Sequence, residues 1–192
     1  NEFTRASTAE VYNAIIADLT AAAAELPDKP ATQGRAFKGS ALHLLAKAYL
    51  TRGWSADAQS SDFQNAYNTA KQLIDNAATY GVALRPDYAN VHQEGQEYNS
   101  EVLFAIGWVD NTTFNNNNGF LGGEDGLRQN RSNFLFRMFY HSNMPGMGRD
   151  YLNGRPFVRY KPTPWVLDGA FADKINDSRF NKSFQTVWFV NN

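Results

Sequence analysis

The chain has 192 residues, of which 43% are hydrophobic and 19% are charged, and its 18 basic and 19 acidic side chains leave a net charge of −1. That length and composition suit one domain with a hydrophobic core, and the near-neutral charge argues against a nucleic-acid-binding protein, which needs many cations against phosphate. Because the sequence has no cysteine, it excludes disulfides, thiolate nucleophiles and cysteine-bound metals.

Composition changes near residue 90. Of the 24 alanines, 21 lie at or before Ala89, whereas 10 of the 14 glycines and 18 of the 27 aromatic residues follow it. Alanine favours helices and glycine favours turns. The sequence therefore predicts a helical scaffold over 1–90 and a loop-rich, aromatic-rich region over 91–192 that packs on it.

The first predicted helix has clear signals at both ends. Ser7 and Glu10 have the spacing of a capping box, and Pro27 ends the helix because proline cannot continue one. Its apolar positions recur at helical spacing. They are Val11, Ile15, Leu19, Ala22 and Leu26.

Two further helices are predicted. One runs from about Lys38 to Arg52 with Gly53 as its C-terminal cap, and the next begins at Ser61 with Gln64 as capping partner. The predicted buried faces are Ala41, Leu42, Leu45, Ala48 and Tyr49, then Phe63, Ala66, Tyr67, Ala70, Leu73, Ile74 and Ala77, with Gly81 shortly after the end. Two helices joined by a short turn, with small and aromatic residues interlocking, resemble one tetratricopeptide unit, which needs neighbours to bury its face.

The second half predicts loops with short strands. Glu101 to Val109 is apolar on both faces and predicts a buried β-strand, and Asn115 to Asn118 before Gly119 predicts a surface turn. From Arg128 to Lys161 there are seven basic residues against one acidic residue. The predicted fold class is mainly α, a tetratricopeptide-like α–α superhelix with a loop-rich region containing short β-strands.

The order of several short motifs is also informative. The motifs are Glu10 to Pro27, Gly34 to Ala41 followed by Leu44 to Leu50, Tyr80 to Leu84, Asn99 to Ile106, Asn153 to Pro156, Pro162 to Pro164, and Asp177 to Phe180. Together they resemble the SusD/RagB family of surface glycan-binding lipoproteins of Bacteroidetes, and the resemblance extends over nearly the whole chain. Members of that family are longer, so the chain resembles an internal segment of one SusD-like domain, incomplete at both ends.

The resemblance implies a function. Helix pairs would support an irregular binding region, and the full-length parent would be lipid-anchored on the outward-facing surface of the outer membrane. There it would capture oligosaccharide or polysaccharide without cleaving it and deliver it to a SusC-like TonB-dependent transporter. This sequence itself predicts neither a secretion signal nor a membrane-spanning helix, so we expect membrane contact only through an anchor outside it.

Glycan binding requires particular side chains. An exposed aromatic ring contacts the apolar C–H face of a sugar, and nearby polar groups bind its hydroxyls. Suitable residues are Trp108, Asp110, Asn111, Phe114 and Asn115, with Arg128 for acidic sugars and with Tyr140 and Trp165, the last stiffened by neighbouring prolines. The alternative interpretations are structural: Trp108 ends a buried strand, Tyr140 and Trp165 pack locally, the asparagines tolerate a turn, and Arg128 is solvated or pairs with an acidic residue elsewhere in the fold.

Enzyme chemistry has weaker support. Glu124 and Asp125 are adjacent and cannot face one sugar from opposite sides, and the three histidines lack metal-binding spacing. We therefore predict no catalytic residue, no metal and no cofactor. The alternative function is a tetratricopeptide scaffold that binds only protein, and a glycoside hydrolase is a third possibility.

Overall fold

The computed structural model describes residues 4–106, 136–150, 156 and 158–191. Regular secondary structure in those ranges is helical, which confirms the predicted mainly α class. The chain divides into two compact units, the first ending at Gly107 and the second beginning at Trp108. The predicted division of the chain at residue 90 into a helical scaffold and a loop-rich region stays a prediction.

The first unit consists of helices that pack around α2. The elements are α1 (Thr8–Glu25), α2 (Lys38–Gly53), α3 (Asp62–Asp75), the single turn α4 (Ala77–Tyr80) and a 3-10 turn at Tyr88–Val91. Helix α2 packs against both α1 and α3. The predicted hairpin of helices two and three is therefore present.

Helix α1 begins as the sequence predicts, but its buried face is shifted. The Ser7 side chain accepts from the Glu10 backbone N–H, and Glu10 accepts from the Ser7 N–H at 2.8 Å, so the capping box is confirmed. Val11 and Ile15 are exposed. Seven positions of the helix and its C-terminal cap are half-buried: Ala9, Tyr12, Ile16, Leu19, Ala22, Ala23 and Leu26. The face is therefore offset by one residue in the first half of the helix, because the stripe that α2 covers depends on how the two helices cross.

Helix α2 buries the predicted face, but its end differs from the prediction. Ala41, Leu42 and Leu45 are buried. Gly53 is not a left-handed cap: it is the last residue of the helix, and Trp54 is the cap residue. A Cβ atom on Gly53 would lie 3.0 Å from the Phe63 ring, so the glycine allows α3 to approach closely.

Helix α3 does not form the predicted capping box. Ser61 makes no capping hydrogen bond, and the residue after it, Asp62, is buried instead. Ala66 is buried, whereas Phe63, Tyr67 and Ile74 of the predicted face are exposed. The helix contacts α2 along a stripe narrower than the apolar pattern predicts.

A buried ion pair connects the three long helices. The Arg52 guanidinium donates to both carboxylate oxygens of Asp62, with an Nη2–Oδ1 distance of 2.6 Å and an Nε–Oδ2 distance of 3.0 Å. Its Nη1 also donates to the Asn13 side chain on α1 at 3.0 Å. Asp62 in addition accepts the Gln59 backbone N–H at 2.8 Å. Bidentate geometry and these extra bonds offset the cost of burying the two charges.

The core of the first unit lies at the start of α2. Phe37, Leu42 and Tyr80 form a buried cluster. Gly81 ends the helical stretch with a φ of 71°, in the left-handed region that favours glycine. Four partly buried side chains pack on the cluster: Ala23, Leu73, Val82 and Leu103.

The prediction of a strand over Glu101 to Val109 is wrong for the part that the structure describes, 101–106. The backbone there is irregular, and Phe104 and Ile106 are exposed. Separate hydrogen bonds hold the segment instead. The Ala83 N–H donates to the Ser100 carbonyl at 2.9 Å, the Ser100 hydroxyl donates to the Ala83 carbonyl at 3.1 Å, and the Ser40 hydroxyl donates to the Leu103 carbonyl. An apolar run forms a strand only beside a continuous backbone partner.

The second unit contains short elements in its described ranges. They are α5 (Tyr140–Asn143), a π-helical turn (Trp165–Ala170) and α6 (Arg179–Ser183). Tyr140 is the centre of one cluster, where its ring stacks on Trp188 at 5.2 Å between centroids. Phe171, Phe180 and Phe184 form a second aromatic cluster around α6.

No helix within the described ranges is long and apolar enough to cross a membrane.

Candidate functional site

Trp165 lies at the start of the π-helical turn. The Thr163 side chain accepts the Val166 backbone N–H at 3.3 Å, and the Thr163 carbonyl accepts the Leu167 N–H at 3.2 Å. Pro164 already has a helical backbone conformation. The fixed φ of proline and these two hydrogen bonds hold the backbone that carries the indole. Turns of π-helix are rare and occur frequently at functional sites.

The indole of Trp165 is largely open to solvent. Its side chain is 71% exposed. A Cβ atom on Gly169 would lie 2.9 Å from the indole Cδ1, so the ring edge rests against the glycine backbone. This contact leaves a ring face free. The site is therefore the exposed Trp165 indole, an aromatic plate whose orientation is restricted.

Charged groups follow Trp165 along the chain. The Lys174 ammonium lies 3.0 Å from the Asp168 carboxylate. Hydrogen bonds from Asn176 lower the pKa of Asp173, and the hydrogen bond with Arg179 lowers the pKa of Asp177. The Asp173 and Asp177 carboxylates are therefore ionised at neutral pH and can accept hydrogen bonds from hydroxyl groups.

Tyr140 has a structural position. It is 0% exposed, its ring stacks on Trp188, and its hydroxyl accepts the Asp150 backbone N–H at 3.3 Å. Nearby, Asn191 exchanges hydrogen bonds with the Gly148 backbone at 2.7 and 3.1 Å. The buried ring favours the structural alternative for Tyr140, local packing, and its binding role stays a prediction.

The remaining predicted site residues lie outside the described ranges. They are Trp108, Asp110, Asn111, Phe114, Asn115 and Arg128. Of the predicted site residues, the structure thus describes only Trp165 and Tyr140. These two side chains make no recorded contact with each other.

Sequence reasoning missed a second exposed indole. Trp54 is 80% exposed and follows α2 directly, with its ring 5.3 Å from that of Phe63 at an interplanar angle of 71°. The signal that could have revealed it is the position of a tryptophan immediately after an amphipathic helix, before a run of small and polar residues. Such a tryptophan lies outside the apolar face of the helix, so the periodic pattern assigns it no position in the core.

The first unit also contains an apolar groove of about 400 Å³. Its walls come from the end of α3, the segment 82–84 and the segment 100–103, and they contain no aromatic ring. The exposed side chains of Ile74 and Leu84 form part of its lining. Without a ring to stack on and with almost purely aliphatic walls, the groove does not suit a hydroxyl-rich sugar.

The described part of the chain contains no cluster of metal-binding side chains. No three His, Asp or Glu side chains in those ranges converge so that they could hold an ion.

Comparison with known proteins gives one curated relative. The chain is 38% identical over 101 residues to "SusD-like protein P2" of Formosa agariphila, an alignment that covers 52% of this chain and 18% of that protein. The chain therefore spans less than a fifth of the length of this relative. No protein-family model matches the chain, and no solved structure matches it. The match supports, for about half of the chain, the resemblance to SusD-like proteins that its motifs indicate.

Proposed function

We propose that the chain is a non-catalytic carbohydrate-binding part of a SusD-like protein and that Trp165 contacts the sugar. The observation that carries this proposal is the exposed indole on a restrained π-helical turn. The similarity to a SusD-like protein supports the class of ligand. The physical basis is that a pyranose presents an apolar C–H face, which an open ring face can cover.

Hydrogen bonds would supply the specificity. The Asp168 carboxylate and the Lys174 ammonium are exposed partners of one another, and such a pair can exchange its weak mutual contact for sugar hydroxyls at little cost. A ring contact contributes about 1 kcal/mol, so a few contacts give an affinity between micromolar and millimolar.

The cellular role follows from the same resemblance. We propose that the full-length protein is lipid-anchored on the outer face of the outer membrane. There it holds oligosaccharide or polysaccharide and passes it unchanged to a SusC-like TonB-dependent transporter. Trp108, Asp110, Asn111, Phe114, Asn115 and Arg128 belong to the proposed binding region as further candidate contacts.

The test is isothermal titration calorimetry of the chain with neutral and acidic oligosaccharides, comparing the parent with Trp165→Ala. We expect the substitution to weaken binding about 5- to 10-fold, the loss of roughly 1 kcal/mol. Ile175→Ala is the matched control, because Ile175 is a highly exposed side chain of the same unit without a ring. It should bind as the parent does.

Three outcomes would contradict the proposal. If no oligosaccharide binds to the parent, the carbohydrate function is wrong and a scaffold that binds only protein becomes the better description. If binding survives both Trp165→Ala and Trp108→Ala, the aromatic contacts are wrong. Release of reducing ends from any polysaccharide would contradict binding without cleavage.

A further inference from the structure

We propose that the turn between α2 and α3, residues 54–61, is a second saccharide-binding site and that Trp54 is its aromatic plate. This inference rests on the proposed carbohydrate function but concerns a different unit of the chain and a different residue. The exposed indole of Trp54 has the chemistry that a pyranose ring needs.

The turn is rigid, as a preformed site should be. The Ser55 hydroxyl donates to the Arg52 carbonyl at 2.8 Å and accepts the Asp57 N–H at 3.1 Å. The Gln59 amide donates to the Asp57 carbonyl at 3.2 Å, and the Asp62 N–H donates to the Gln59 carbonyl at 3.0 Å. A plate on an ordered turn loses little conformational entropy when a ligand binds.

The buried ion pair fixes both ends of the turn. Arg52 precedes Trp54 by two residues, and Asp62 follows the turn, with its side chain 0% exposed. Because Arg52 and Asp62 bond each other, the separation of the two helix ends is set by one bidentate contact. The contact that closes the helical hairpin thus also fixes the ends of the turn that carries the exposed Trp54 indole.

The orientation of the indole is restricted by Phe63. The two rings meet edge to face, and the Phe63 ring contacts Gly53, where a Cβ atom would lie 3.0 Å from it. An edge-to-face contact covers at most one face of the indole, in agreement with the high exposure of Trp54. The opposite face remains available for stacking.

The composition of the turn favours a sugar over an apolar partner. Residues 55–61 are three serines, two alanines, Asp57 and Gln59. None is a large aliphatic side chain, whereas the buried core of a protein–protein interface is mostly apolar. Hydroxyl, carboxylate and amide groups within a few residues of an indole are the groups that bind sugar hydroxyls.

The site can be observed directly by nuclear magnetic resonance. The chain has four tryptophans, and isotope labelling of tryptophan gives each indole N–H its own signal, assigned with Trp→Phe variants. The labelled full chain is titrated with cellohexaose, laminarihexaose and xylohexaose. We expect the Trp54 signal to shift progressively with at least one hexasaccharide, and to shift equally in a Trp165→Phe background.

Variants then separate stacking from general effects. Added to Trp165→Phe, Trp54→Ala should remove the contribution of the second site to the remaining binding and leave that of the first site, with unchanged helical circular dichroism. Leu84→Ala is the matched control, because Leu84 is an equally exposed apolar side chain of the same unit without a ring. Phe63→Leu should weaken binding about 2- to 3-fold, because the plate loses its aromatic support.

Each outcome is decisive. A Trp54 signal that stays fixed while Trp165 responds overturns this inference and leaves the proposed function intact. A Trp54 signal that shifts while Trp165 does not supports this site and contradicts the role of Trp165. If neither responds to any of the sugars, both proposals are wrong, and the exposed Trp54 surface is better explained by a protein partner.

Discussion

At the scale of single residues, Asp62 has the most constrained environment in the described part of the helical unit. Its carboxylate accepts hydrogen bonds from the Arg52 guanidinium and from the Gln59 backbone N–H. The hydrogen bond with Arg52 lowers the pKa of Asp62 below its ordinary value. The residue differs in this respect from Asp75, whose contact with Lys71 is exposed to solvent on both sides. Burial is the property that separates the two ion pairs.

We predict that Asp62→Asn lowers the free energy of unfolding by about 3 kcal/mol, because it leaves the Arg52 charge buried without a compensating charge. Chemical denaturation followed by circular dichroism measures this loss. Asp75→Asn is the control and should cost about 0.5 kcal/mol or less, since an exposed i, i+4 pair contributes little. Equal losses in the two variants would contradict the assignment of a structural role to the buried pair.

The same residue predicts a pH dependence. Because folding lowers the pKa of Asp62, its ionised form stabilises the native state above the unfolded pKa, and this contribution is lost as the pH falls below about 4 through the folded pKa. Asp62→Asn should therefore show a smaller decrease of stability with acid than the parent does. Parallel pH profiles for the two proteins would contradict this explanation.

At the scale of elements, helix positions depend on glycines that allow close approach. Gly39 lies in the first turn of α2, and a Cβ atom there would be 2.5 Å from Cε2 of Phe37, a ring that is buried in the core. Gly53 at the other end faces Phe63, which is half exposed. Similar close approaches thus have different consequences, because one ring is confined and the other can move outward.

We predict that Gly39→Ala destabilises the protein by about 1 to 3 kcal/mol, the cost of overpacking a core, even though alanine favours a helix by up to about 1 kcal/mol. Gly53→Ala should change the free energy of unfolding by less, since Phe63 can shift into solvent. Thermal unfolding of both variants provides the comparison. A stabilised Gly39→Ala would show that the Phe37 ring is not confined.

At the scale of the whole molecule, charge distinguishes stacking from ion pairing. The net charge of −1 gives little long-range attraction for any ligand. We predict that the affinity for a neutral hexasaccharide changes less than about 2-fold when salt rises from about 50 to about 500 mM, because stacking and neutral hydrogen bonds are not screened. Calorimetry at several salt concentrations measures it. A steep loss of affinity for the neutral sugar would contradict stacking as the main contact, whereas an acidic oligosaccharide bound by the basic residues between Arg128 and Lys161 should lose affinity with salt.

The amino-acid sequence by itself determined the helical elements. Local signals are complete within a few residues: the Ser7–Glu10 box, the apolar period of α2 and the glycine after Tyr80 are all found in the structure. The resemblance to SusD-like proteins also came from local motifs, and the curated relative supports that resemblance over about half of the chain. These features depend on residues that are close together in the sequence, so they can be predicted without knowing the tertiary structure.

Only the tertiary structure decided which apolar side chains are covered. The shift of the α1 face, the irregular backbone at 101–106, the burial of Tyr140 and the exposure of Trp54 and Trp165 all depend on residues far away in sequence. Periodicity shows that a side chain is apolar and on which face of its own element it lies. It does not show whether another element packs there, because burial is a property of the contact between elements.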